Sequence, residues 1–368
     1  MVSAEPGCSV VADLARRTES LVRDVVIDVE DRYHGIAADL PDGVRAALHT
    51  AARTAGVFAP QIGTEFGGSG LNMRDRLPIV EASGYSLFGP LALNCAAPDD
   101  GNLFLLEQLA SAAQQDRYLI PLAAGHIRTC YVSTESTIVD RAWPPGLPTV
   151  AERTGAGWVI NGRPQFVRGA VGASVAIVTA HTSDGGGSRG GTTMFVVDAD
   201  TPGYTLRRDV DSARARTFGG DGELVFEDLE VGEDAVLGEV DRGVDYALAR
   251  GGPVTLTACM RWMGSARRAA DIAVEQSAAR TSVGSVAGAV EQVMIDNEID
   301  ILAARALVDR ACLLFDVGEP SAQAISIATT FVVEAVGRVV DRSLQICGVL
   351  GSTGDAVLSR LHRQVRSL

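Results

Sequence analysis

The order of two hydrophobic periodicities limits this chain more than any other feature. Over 10–37, 42–55, 73–85 and 101–122, apolar residues recur at helical spacing with Arg, Asp and Glu between them. The pattern then changes. The runs 158–163, 174–179, 193–197 and 223–226 are short, rich in β-branched and aromatic residues, and bounded by Gly, Asp and Pro. Helical spacing returns over 244–279, 290–315 and 321–346, with Gly318 and Pro320 marking a helix–helix loop. Helices, then strands, then helices, without strand–helix–strand alternation, argue against a Rossmann domain and predict an α+β fold with an antiparallel sheet in the middle. The expected division is an N-terminal helical domain over 1–128, a β-barrel-like middle domain over 129–240 and a C-terminal helical bundle over 241–368. Asn161-Gly162 predicts a tight hairpin turn, because both residues tolerate positive φ. The Gly- and Ser-rich 183–191 predicts a hairpin tip.

With 368 residues, 46% of them apolar, the chain can bury a large core. Its net charge of −14 argues against a nucleic-acid or anionic-membrane partner. Cys8, Cys95, Cys130, Cys259, Cys312 and Cys347 are scattered, and the five His are equally dispersed, so no metal site is expected. There is no basic start followed by an apolar run, and no stretch of about 18 uninterrupted apolar residues. A cytoplasmic, membrane-free protein with reduced thiols is the expectation.

Several stretches, in this order, resemble the acyl-CoA dehydrogenase family. Phe66-Gly67-Gly68-Ser69-Gly70-Leu71 resembles its YGGxGL turn, and Ala97-Pro98-Asp99-Asp100-Gly101-Asn102 resembles the APDTGN stretch of a long-chain subgroup. Ser133-Thr134-Glu135 sits where the family has MTEP. Gly222-Glu223-Leu224-Val225-Phe226 is similar to a family strand, and Cys259-Met260-Arg261-Trp262-Met263-Gly264 to the CMRxIG helix. Gln345-Ile346-Cys347-Gly348 matches the start of QxxGG. The resemblance covers nearly the whole chain. It implies a helix–sheet–helix fold, FAD at a subunit interface, and an acyl thioester, on CoA or a carrier protein, as substrate.

Carried over position by position, the resemblance implies a cofactor-binding set. Tyr131, Ser133 and Thr134 fall on the strand facing the flavin, and Thr134 would offer its hydroxyl to the ring. Phe166, Val167 and Arg168 replace the family's Trp-Ile-Thr beside the flavin. Phe can still stack, but a long cation stands in for a small hydroxyl. Arg280 would meet the pyrophosphate, with Gln345 and Gly348 supplying the turn. Val349 replaces the second family Gly, and Val283 an aromatic residue. Arg168 and Val349 together imply FAD held weakly or not at all.

No catalytic residue is expected within the chain. The α-proton of an acyl thioester needs a positioned carboxylate. One family position for it falls at Val254, followed by Thr255. The other belongs to a segment just past Val365-Arg366-Ser367-Leu368, where the sequence stops. Asp245 is a nearby carboxylate out of register. The expected function is an acyl-CoA dehydrogenase-like flavoprotein performing α,β-oxidation with hydride transfer to FAD. The alternatives are a non-catalytic subunit of a hetero-oligomer whose partner supplies the base, and a fold repurposed for biosynthesis without dehydrogenation. Because the C-terminal helices are apolar on several faces, a homo- or hetero-oligomer is expected.

Overall fold

The structure is a computed structural model, and it describes residues 6–37, 40–133, 149–183, 191–210, 220–279, 284–353 and 356–365. Along the chain, α1 (Pro6–Leu21) runs through a π turn into a further helical stretch, Ile27–Arg32. Then come α2 (Asp42–Thr54), α3 (Met73–Ser83) and α4 (Asp99–Leu109). Among the described residues eight strands follow: β1 (Thr129–Val132), β2 (Val150–Arg153), β3 (Trp158–Gly162), β4 (Val167–Arg168), β5 (Val175–Ser183), β6 (Gly191–Asp198), β7 (Tyr204–Val210) and β8 (Asp221–Val231). The chain ends in α5 (Gly243–Ala279), α6 (Gly284–Asp316), α7 (Ala322–Cys347) and α8 (Val357–Val365). This is the helix–strand–helix order that the periodicities predict. One expected helix, over 101–122, is interrupted. After Leu109 the backbone turns extended, and Ser111 begins a new turn through a capping box with Gln114.

The residues form two compact units. One is helical and is assembled from Met1–Gln61, Ser69–Cys95 and Gly252–Leu368; the other holds Ile62–Gly68 and Ala96–Gly251, including the sheet.

In the sheet unit the strand order is β1-β5-β2-β3-β8-β4, with β6 beside β5 and β7 beside β8. Most pairings are antiparallel, as expected. The additions are β1 with β5 and β2 with β5, which run parallel. The core is built from alternate residues of these strands, among them Trp158, Ile160, Phe195, Leu224 and Phe226. Trp158 meets Phe195 edge-on at 5.6 Å.

Asn161-Gly162 is not the hairpin turn. It lies inside β3, opposite a bulge in β8, and the turn between β2 and β3 comes earlier, closed by Thr154 N–H donating to the Gly157 carbonyl at 2.8 Å. The Asn161 side chain accepts from the Asp228 N–H at 2.8 Å, fixing Asp228 at φ 47° in the bulge. Gly162 is needed for space, since a Cβ there would sit 2.8 Å from the Thr149 Cα.

In the helical unit α3 and α5 touch backbone to backbone. A Cβ on Gly264 would lie 2.1 Å from the Glu81 carbonyl, and one on Gly84 would lie 2.1 Å from the Arg261 carbonyl. A buried ion pair ties α5 to the N-terminal helices: Arg268 Nη1 donates to both oxygens of Glu30, at 2.8 and 2.7 Å. Ser86 and the Leu87 N–H complete the carboxylate shell. The Asp316 carboxylate, from the end of α6, accepts from the Met73 and Arg74 N–H groups at 2.8 Å each and so caps α3.

Among the described residues one helix, α7, is long and apolar enough to cross a membrane by length and composition. Its most apolar window has a mean hydropathy of 1.3 and is 33% buried. Within the helical unit α7 is fixed to α6 by charge, because Arg338 and Arg342 both donate to Asp300, at 2.7 Å each.

Candidate functional site

The residues with the densest polar wiring in the sheet unit surround β1. Pro98 follows a cis peptide, and α4 starts immediately after it. Asp99 is buried and accepts from the Thr129 N–H at 2.8 Å and from the Thr129 hydroxyl. Asn102, fully buried, donates to Thr129 Oγ1 at 2.8 Å and to the Cys130 carbonyl at 3.2 Å. The Ala97–Asn102 motif therefore fastens strand β1 to α4. On the other side, Gly169 packs so tightly that a Cβ would lie 2.7 Å from Pro98 and 2.8 Å from the Thr129 carbonyl. β4 is thereby held against β1.

The long helix α5 contributes Arg250. Its guanidinium lies 4.0 Å from the centre of the Tyr131 ring, and Nη2 points at the Pro98 carbonyl and Asn102 Oδ1 at 3.5 and 3.4 Å. Its Nε is buried without a hydrogen-bond partner, and burial lowers the guanidinium pKa. Sequence reasoning missed Arg250. The available signal was an Arg three residues before a helix-interior proline, Pro253.

Burial pushes Asp99 up to about 6 from its ordinary 3.8, opposed by the Thr129 hydrogen bonds. Between these values the folded chain keeps a proton that the unfolded chain has released. The favourable contribution is therefore complete below the lower value and lost as pH rises through the upper one, a swing of about 3 kcal/mol. Asp99→Asn keeps the acceptor for Thr129, so it should raise the urea midpoint near neutral pH and leave it unchanged near pH 4. A gain of equal size at both pH values would refute this account.

Of the residues expected to bind the cofactor, the sheet unit gathers five. Tyr131 lies on β1, under Arg250, and Ser133 is exposed just past the strand's end. Phe166 precedes β4 at φ 53°, with 59% of its surface exposed. Val167 is buried and anchors the strand, and Arg168 is exposed, in register with Asp221. An exposed aromatic ring and an exposed hydroxyl are groups that could meet a planar ligand with polar edges. In the helical unit, Gln345 is exposed on α7, and Gly348 ends that helix at φ 60°, its N–H donating to the Leu344 carbonyl. Val349 follows with 82% of its surface exposed. Thr134 and Arg280 lie outside the described residues, as does Val283.

Val254 is a half-buried apolar residue of α5. Asp245 is exposed at the start of that helix and paired with Arg242 at 2.6 Å. Neither provides a base held in a closed site.

Three family models, for the N-terminal, middle and C-terminal domains of acyl-CoA dehydrogenase, match residues 13–126, 130–229 and 241–368. The chain belongs to the acyl-CoA dehydrogenase family. A curated relative, named probable acyl-CoA dehydrogenase FadE2, from Mycobacterium tuberculosis, is 31% identical over 360 residues, covering 91% of this chain and 88% of its own. Acyl-CoA dehydrogenase family member 11 of Gallus gallus is 30% identical over 311 residues; the match takes in 82% of this chain but only 40% of that protein. The acyl-CoA dehydrogenase fold is also that of butyryl-CoA dehydrogenase from Megasphaera elsdenii, with a TM-score of 0.83 at 22% identity over 97% of this chain and 92% of that one.

Proposed function

We propose that this chain is a flavin-binding member of its family that takes an acyl thioester, carried on CoA or on a carrier protein. The observation that supports this best is the exposure of Ser133, just past β1, and of Phe166, just before β4, with β1 itself fixed by the buried Asp99–Thr129–Asn102 wiring. Phe166 would stack on the flavin ring, Ser133 and Thr134 would meet its polar edge, and Arg280, Gln345 and Gly348 would hold the pyrophosphate. When bound, FAD supplies a hydride acceptor. The chain's own part is to hold β1 and β4 rigid and to orient the thioester.

A second reading, a subunit whose base comes from a partner chain, is favoured by one observation: Val254 is apolar and Asp245 is tied to Arg242. Without a positioned base, proton removal loses about 10²- to 10⁴-fold in rate. The expectation is an oligomer that binds FAD weakly and is not bleached at a normal rate by acyl-CoAs under anaerobic conditions. Fluorescence titration with FAD, sedimentation at micromolar concentration and stopped-flow bleaching read the three parts. Val349→Gly should tighten FAD binding. Nanomolar FAD affinity in the unaltered chain would refute the weak-binding part, and a monomer the oligomer. Rapid bleaching would refute the missing base and make Asp245 the first residue to mutate.

A further inference from the structure

The helical unit contains a cleft of about 960 Å³ that shares no residue with the flavin-binding set. It lies where α1, α3, α5 and α6 each present one face. Between its charged groups the lining includes small, largely apolar residues: Ala12, Ala15, Pro78 and Ala82 make up its floor.

The acids of this cleft are not alike. Asp271 is satisfied, accepting from the Tyr85 hydroxyl at 2.9 Å and facing Arg23 at 3.3 Å. Glu81 is nearly buried, yet its Oε2 is shut off from solvent and accepts no hydrogen bond; its nearest cation is Arg305 Nη1 at 3.4 Å. A buried oxygen without a partner is costly unless something completes it. Arg305 is half exposed, and among the described residues its guanidinium meets only Glu81. Arg267 is bound to Glu298 in a partly exposed pair, the kind that contributes little and yields readily. In a chain of net charge −14, five arginines and four carboxylates line this cleft. Burial pushes Glu81 up, Glu19 adds to the rise, and Arg305 and Arg267 oppose it. A neutral Glu81 would donate a hydrogen bond to an oxyanion, and with Glu81 neutral an incoming ammonium would meet five guanidinium groups against three carboxylates.

We propose that this cleft binds an organic anion with a short apolar body, its oxyanion held by Arg305 and Arg267 beside Glu81 and its body against the small-residue floor. The inference is independent of the flavin reading. Drug-sized ligands fit clefts of roughly 300–1,000 Å³. The head group is a carboxylate or a phosphate monoester, and octanoate and octyl phosphate distinguish the two.

Isothermal titration of the full chain with each probe tests the assignment, with octylammonium as the charge control. At least one anion should bind, and octylammonium should not. Arg267→Ala with Arg305→Ala should weaken the anion at least 10-fold, and Ala82→Phe, which fills the floor, should abolish binding. Octanoate affinity should fall as rising pH ionises Glu81, whose pKa burial raises, and Glu81→Gln should bind without that dependence. The charged groups facing Glu81 are Glu19 of α1, Arg267 of α5 and Arg305 of α6. No heat from either anion, or equal binding of octylammonium, would overturn the proposal. So would unchanged binding in both the double-Arg and Ala82→Phe proteins, checked to be folded by circular dichroism, because the anion would then sit elsewhere.

Discussion

Arg268→Met should cost about 3–5 kcal/mol of stability, the usual loss when one member of a buried ion pair is removed. The reason lies in what remains. Glu30 is fully buried, and its carboxylate would keep only Ser86 and the Leu87 N–H as donors after losing two bonds of 2.7–2.8 Å. Adding Glu30→Gln should restore part of the loss, since a neutral amide still accepts from Leu87. Urea unfolding of the two single variants and the double variant gives the coupling energy. A loss below about 1 kcal/mol for Arg268→Met would mean that the pair is solvated in solution.

Gly264→Ala is the second large effect. By helix propensity alone the change should stabilise α5 by about 1 kcal/mol. The geometry reverses the sign. A methyl group 2.1 Å from the Glu81 carbonyl forces α3 and α5 apart, and overpacking of this kind costs about 1–3 kcal/mol or more. A net loss of roughly 2 kcal/mol is expected, and Gly84→Ala should behave alike, since its Cβ would meet the Arg261 carbonyl at the same crossing. The two losses should not add, because one separation relieves both clashes. Unchanged or raised urea midpoints would show that the helices can part freely.

The long helices were legible in the sequence because α5, α6 and α7 keep their periodicity over many turns. Strand direction was not legible: period-two alternation is the same in a parallel and an antiparallel neighbour, so the parallel pairings of β5 went unseen. Asn161-Gly162 misled for a related reason. Local turn preference lost to pairing with β8, where the Asn161 side chain serves Asp228 rather than its own turn. The proposed flavin side of β1 and β4 was readable only through family resemblance, because nothing local marks Ser133 or Phe166. Arg250, Glu30 and Arg268 look like ordinary charges on amphipathic helices. Only the tertiary fold sets Arg250 over Tyr131 and buries Arg268 against Glu30.

The helical unit is written in three pieces, with Ala96–Gly251 between the second piece and the third. A ribosome releasing the chain from its first residue therefore delivers α1, α2 and α3 long before α5 and α6 exist. Until Asp316 emerges, the start of α3 has no cap from α6, and until Arg268 emerges, Glu30 has no cation. The nascent N-terminal helices must wait with their apolar faces open while the sheet unit is completed. Contacts spanning this much sequence are formed late and leave such segments exposed to aggregation.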